Sequence, residues 1–168
     1  MRKICIFLFT FIFLVVVVIG CSTVKQPKKI KDTAPAVDVS SITFTNFNLP
    51  DKIIVCKNGS ISELSKKDKL YLEILKLSDK RIDPNSGALK MGIRKDGIDN
   101  LKKTGIVIEF VYSEPQEKLG HMERKYSGLI FPLTGHYIGY CFFEDNTNFY
   151  GGPIHGLSAP DDLLALLN

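Results

Sequence analysis

Few side chains in this 168-residue sequence are suited to covalent or metal chemistry. They are three histidines, His121, His136 and His155, and four cysteines, Cys5, Cys21, Cys56 and Cys141. Their spacing matches no common catalytic or metal-binding pattern. No histidine stands in an HExxH pair, and neither Ser127 nor Ser158 lies in a GxSxG elbow. One catalytic arrangement stays open: a hydrolase that uses His155 or His136 with a cysteine or a carboxylate. A nucleophilic thiolate needs a helix N-terminus or a positive neighbour. Cys56 and Cys141 instead end or interrupt apolar, strand-like runs at 53–56 and 139–142. In such places a cysteine is a small buried hydrophobe or, outside the cytoplasm, one half of a disulfide. Both readings stand for the pair Cys56 and Cys141. No cofactor or metal site is expected.

The most unusual stretch runs from Glu144 to Gly156. Glu144 and Asp145 open an oxygen-rich loop that resembles a calcium loop only in composition. Phe149 takes the fifth place counted from Asp145, and Gly156 stands where the closing glutamate belongs. Gly151 and Gly152 permit positive φ and a close backbone approach, with Tyr150 and His155 beside them. Glu144, Asp145, Tyr150, Gly151, Gly152 and His155 therefore form the candidate contact loop for a ligand or partner. Glu109, a lone carboxylate in an apolar run, is expected on the solvent side of a strand. The chain has no Trp, which argues against a carbohydrate platform of wide aromatic rings.

Cys21 belongs to a different context. Arg2 and Lys3 precede an apolar run over residues 4–19, which ends in Val18-Ile19-Gly20-Cys21. A basic start, an apolar centre and a small residue at the cut make a secretory signal. With a cysteine directly after the small residue, the stretch resembles the lipobox of bacterial lipoproteins. The resemblance implies removal of residues 1–20 and a diacylglycerol thioether on the Cys21 sulfur. Stable anchoring takes two or more acyl chains, at roughly 0.8 kcal/mol per buried methylene. An uncleaved membrane helix is the competing reading, although a run of 16 residues falls short of the ~20 that span a bilayer.

The charge balance follows from this division. The formal net charge is +4, but Lys25, Lys28, Lys29 and Lys31 crowd the segment after Cys21. From Asp38 onward, 16 basic side chains face 17 acidic ones. Nucleic acid is not an expected partner, because no basic patch is interleaved with aromatics. Residues 21–39, polar and carrying Pro27 and Pro35, read as a lipidated, flexible tether. Residues 40–168 read as a single extracytoplasmic domain.

Within that domain, residues 42–47 and 52–57 read as two strands of a hairpin, the second stopped by Asn58-Gly59. Ser65, three residues before Asp68, marks a helix start, and Leu70, Ile74 and Leu77 carry the helix to about Lys80. A second helix is expected over 93–104, with Ile98 and Leu101 facing in and Gly105 as its cap. Strands follow at 106–112, 126–133 and 137–143, the last two joined through Thr134-Gly135-His136. Tyr137 and Tyr140 would then lie on opposite faces of one strand. A short helix capped by Ser158 ends the chain.

The order ββ-αα-βββ-α predicts an α+β fold, a mainly antiparallel sheet of about five strands with helices packed on it. With the anchor, this layout looks like small lipoprotein domains of Gram-positive bacteria. The expected role is a lipid-anchored module on the extracytoplasmic face of the cell membrane, binding an envelope protein or ligand rather than catalysing.

Overall fold

A computed structural model describes residues 42–120, 122–145 and 149–168. The signal, the lipidation site at Cys21, the tether, His121 and residues 146–148 of the acidic loop lie outside the described residues.

The fold is α+β, as the segregation of strands from helices predicts. A six-stranded antiparallel sheet runs in the order β2-β1-β4-β5-β6-β8. Its strands are β1 (Lys52–Lys57), β2 (Ser60–Ser65), β4 (Ile106–Leu119), β5 (Met122–Pro132), β6 (Tyr140–Glu144) and β8 (Ile154–His155). A second, two-stranded sheet pairs β3 (Gly92–Arg94) with β7 (Phe149–Gly151). The helices are α1 (Lys69–Arg81), α2 (Lys95–Thr104) and α3 (Asp161–Leu167). No helix among the described residues is long and apolar enough to cross a membrane.

Strand alternation sends one set of side chains to each face of the main sheet. Ile53, Ile108, Phe110, Leu129, Phe131 and Phe143 face a large core that Tyr71, Ile74 and Leu75 of α1 and Leu163 of α3 complete. Cys56, Val107, Ile130 and Phe142 face the other way, under Ile98 of α2 and Tyr150 of β7. The alternation expected for residues 106–112 is present in β4. Glu109 is the correction on that strand: it lies on the covered face, only 7% exposed, and accepts a hydrogen bond from Lys102 Nζ of α2 at 2.6 Å. Helix α2 covers this face, so a carboxylate there needs a charged partner.

The first hairpin is displaced from its expected place. Asn58 and Gly59, at φ 48° and 80°, join β1 to β2, so the turn lies inside the hairpin and does not end it. Positive φ at both central residues matches the right-handed twist of the flanking strands, which explains the Asn-Gly pair. Residues 42–47 form no ladder; their backbone meets a strand at a Phe47–Leu119 bridge, and the Phe47 ring packs on Phe110 of β4. Asp79 holds them instead: its carboxylate accepts the Thr45 and Asn46 N–H groups, and Asn46 Nδ2 donates to the Asp79 and Ile82 carbonyls. Phe44 and Phe47, three apart, both enter the core, which breaks a strict period of two.

Other boundaries shift for local reasons. Residues 92–94 pair with β7, which delays α2 to Lys95. Ser65 binds Asp68 Oδ2 through its N–H at 2.7 Å and its hydroxyl at 2.8 Å, closing a turn ahead of α1. Ser158 does not cap α3, which starts at Asp161 after Pro160. Its backbone is paired with Arg81, N–H to carbonyl at 3.0 Å. Tyr137 precedes β6, and its ring packs on Tyr140 and Phe142, so the two tyrosines sit on one side.

Candidate functional site

The glycine-bearing end of the molecule is filled. Gly152 has φ +52°, and a methyl group there would lie 2.0 Å from Arg124 Nη1. The arginine reaches this space from β5. Its guanidinium carbon stands 5.0 Å from the Phe143 ring centroid, and Nη2 lies 3.9 Å from Asp145 Oδ2. Gly151 borders the same side chain and the Phe149 ring. Glu144 is engaged as well, accepting the Tyr150 hydroxyl at 3.2 Å. Burial first, and Glu144 second, push the Tyr150 phenol pKa up and keep it protonated. Asp145, Gly151 and Gly152 gather around Arg124, whose guanidinium takes the space beside Gly152, while Glu144 and Tyr150 pair with each other. His155 is the exception: it is exposed on β8, opposite Tyr140.

The nucleophile candidates are dispersed. Cys56 and Cys141 are free and buried, so the choice left open by the sequence resolves to two thiols. They face opposite sides of the sheet on β1 and β6, with β4 and β5 between. Three strand spacings amount to roughly 14 Å, twice the reach of a disulfide. Burial raises both thiol pKa values; nearby Lys102 for Cys56 and Arg81 for Cys141 oppose it more weakly. His136 is exposed in the turn before β6, its ring against Tyr137. Among the described residues, no cluster of three or more His, Cys, Asp or Glu side chains could hold a metal ion.

A buried arginine on α1 closes the same end. Arg81, at the end of α1, is 4% exposed. It donates from Nε to the Ser158 carbonyl at 2.9 Å and from Nη2 to the Ile138 carbonyl at 2.5 Å. Its acceptors are carbonyls, and burial lowers its pKa from the usual guanidinium value.

The open site lies at the opposite edge, where residue types gave no warning. A groove of about 440 Å³ runs between the β1–β2 hairpin and two helix ends. Val55 and Leu64 line its base, Leu70 of α1 and Leu167 of α3 its walls. Ser60 and Ser62 take the sheet positions nearest the edge, and their short side chains leave the space unfilled. Lys57 is the charged residue of the lining; its Nζ donates to the Leu167 carbonyl at 3.2 Å and Asn168 Oδ1 at 3.1 Å. Both acceptors are neutral oxygens, so the ammonium keeps its charge for a further partner. The one sequence signal was the alternation Ser60-Ile61-Ser62, too weakly apolar to be read as a strand.

Comparison with known proteins returns no family model, no curated relative and no solved structure that matches this chain.

Proposed function

We propose that the chain is a lipid-anchored module on the extracytoplasmic face of the membrane, which binds an envelope component in the groove between the β1–β2 hairpin, α1 and α3. The anchor rests on the lipobox-like residues 18–21 and their apolar leader. The observation that carries the binding role is the groove itself. Its 440 Å³ lies in the range of ligand sites, and it combines apolar walls with a few polar groups. The near balance of charge from Asp38 onward favours a partner selected by shape and a few directed contacts over a polyanion. The two free thiols stay in the core while His136 and His155 stand at the surface, an arrangement that favours binding over thiol catalysis.

Two measurements on the full chain test this reading. Cys21→Ser should move the protein from the membrane to the soluble fraction; unchanged partitioning would remove the anchor. A photo-crosslinker at Ser60 should form an adduct in intact cells, and Ser62→Phe, which fills the groove, should abolish it. An adduct that survives Ser62→Phe would place binding elsewhere.

A further inference from the structure

We infer that the groove is one half of a strand-addition site: an extended peptide segment with acidic residues near its ends pairs with the free edge of β2. This rests on the groove reading and adds the class of partner and its mode of attachment.

The hydrogen-bond pattern of the hairpin defines the edge. A two-residue turn closes on a hydrogen-bonded pair, here Lys57 and Ser60, and bonded pairs then alternate with unbonded ones. Val55–Ser62 and Ile53–Leu64 are therefore bonded, and the backbone groups of Ile61, Glu63 and Ser65 point away from β1. Ser65 is consumed locally, its N–H on Asp68 Oδ2 and its carbonyl on the Asp68 N–H. Ile61 and Glu63 remain, offering two N–H and two C=O groups to a new strand. Among the described residues β2 has a strand on one side only.

Edge strands are normally blunted by Pro, Lys or a covering element. β2 carries neither Pro nor Lys, and Ile61 is 52% exposed on it. A strand laid along this edge would alternate its side chains between the groove, over Ser60 and Ser62, and the opposite face, beside Ile61. Main-chain pairing supplies affinity in such complexes, and the pocket for alternate side chains supplies selectivity.

Charge then selects the peptide. Lys57 marks the turn end of β2, and exposed Lys67 and Lys69 stand just beyond Ser65. Among the described residues none of the three forms an ion pair with an acidic side chain. The span between the two ends is five residues, roughly 17 Å of strand. Carboxylates five or six residues apart on the peptide would reach both. The same lysines disfavour a second copy, since antiparallel β2–β2 pairing would set Lys57 of each copy against Lys67 and Lys69 of the other.

A displayed library of random ten-residue peptides, selected on the full chain in detergent, tests the inference. Recovered peptides should alternate β-branched residues between terminal acids and should protect the Ile61 and Glu63 amides from exchange. Ile61→Pro removes an outward N–H without breaking a rung to β1, and should weaken binding at least tenfold. N-methylation of alternate peptide bonds should do the same with no change to the protein. Ser62→Phe should also abolish binding. Peptides sensitive to Ser62→Phe, but indifferent to Ile61→Pro and to N-methylation, would overturn strand addition and leave the groove reading intact. Peptides indifferent to all three changes, or a library that yields none, would overturn both. A chain of twice the mass with protected Ile61 and Glu63 amides before any peptide is added would make a second copy the occupant and overturn the inference.

Discussion

The two ends of the main sheet use small residues to opposite effect. At the β6–β8 end Gly151 and Gly152 make room, and Arg124 takes it, its guanidinium held between Phe143 and Asp145. At the β2 end Ser60 and Ser62 leave room, and nothing among the described residues takes it. Arg81 strengthens the contrast by tying α1 to Ile138 and Ser158 at the filled end. A glycine pair in a loop is thus weak evidence of a site, because the space it opens is available first to the protein's own long side chains. A serine pair on an edge strand is stronger, since no neighbouring strand lies beside it to supply one.

The largest test of this contrast is Arg81→Leu. It leaves the part-buried Ile138 and Ser158 carbonyls without their donors, and an orphaned acceptor costs up to about 1–3 kcal/mol where water does not reach it. Relief of the guanidinium's own burial offsets part of that. Urea unfolding should show a net loss of about 2–3 kcal/mol; a loss below about 0.5 kcal/mol would mean that this arginine does not close the end.

Gly152→Ala should cost less, about 1–2 kcal/mol, from a β-carbon at positive φ and from displacing Arg124. The two parts separate in a double-mutant cycle with Arg124→Ala. If Arg124 is what fills the glycine space, Gly152→Ala becomes about 0.5–1 kcal/mol milder once Arg124 is gone. An additive cycle would break the comparison, since the glycine would then serve the turn alone.

Legibility in the sequence followed the physics of each signal. The central strands and α1 were readable because burial on one or both faces forces strong apolar periodicity, as in Ile108, Phe110 and Tyr112 or Leu70, Ile74 and Leu77. Edge strand β2 was not, because one free side and two serines leave little apolar signal. The pairing of β3 with β7 joins residues more than fifty apart and carries no local cue. Asn58-Gly59 is legible as a turn but reads as the stop after a hairpin and not as its centre, a consequence of missing β2. Arg124 carries no such signal, since Glu123 and Lys125 flank it, and only the fold shows which glycines it faces.

The smallest expected effect concerns how each end is held. At the filled end the contacts of Arg81 run from a guanidinium to carbonyls, which do not titrate under acid. Near the open end, Asp51 precedes β1 and accepts the Ser113 N–H at 2.7 Å and hydroxyl at 2.6 Å, with Lys66 Nζ at 3.4 Å. The Ser113 hydrogen bonds, more than Lys66, hold the Asp51 pKa below its usual value of 3.8. For a depressed carboxylate the contribution to stability is complete above the unfolded-state pKa and disappears as pH falls through the lower, folded one. Acid titration below about pH 4 should therefore loosen the amides of β1 and β2 before those around Ser158, read residue by residue by hydrogen exchange. Ser113→Ala should return Asp51 toward its ordinary pKa, and with it remove this part of the acid sensitivity while slightly lowering stability at neutral pH. Equal loosening of both ends in the parent chain, or no change on Ser113→Ala, would mean that the open end is not held by this carboxylate.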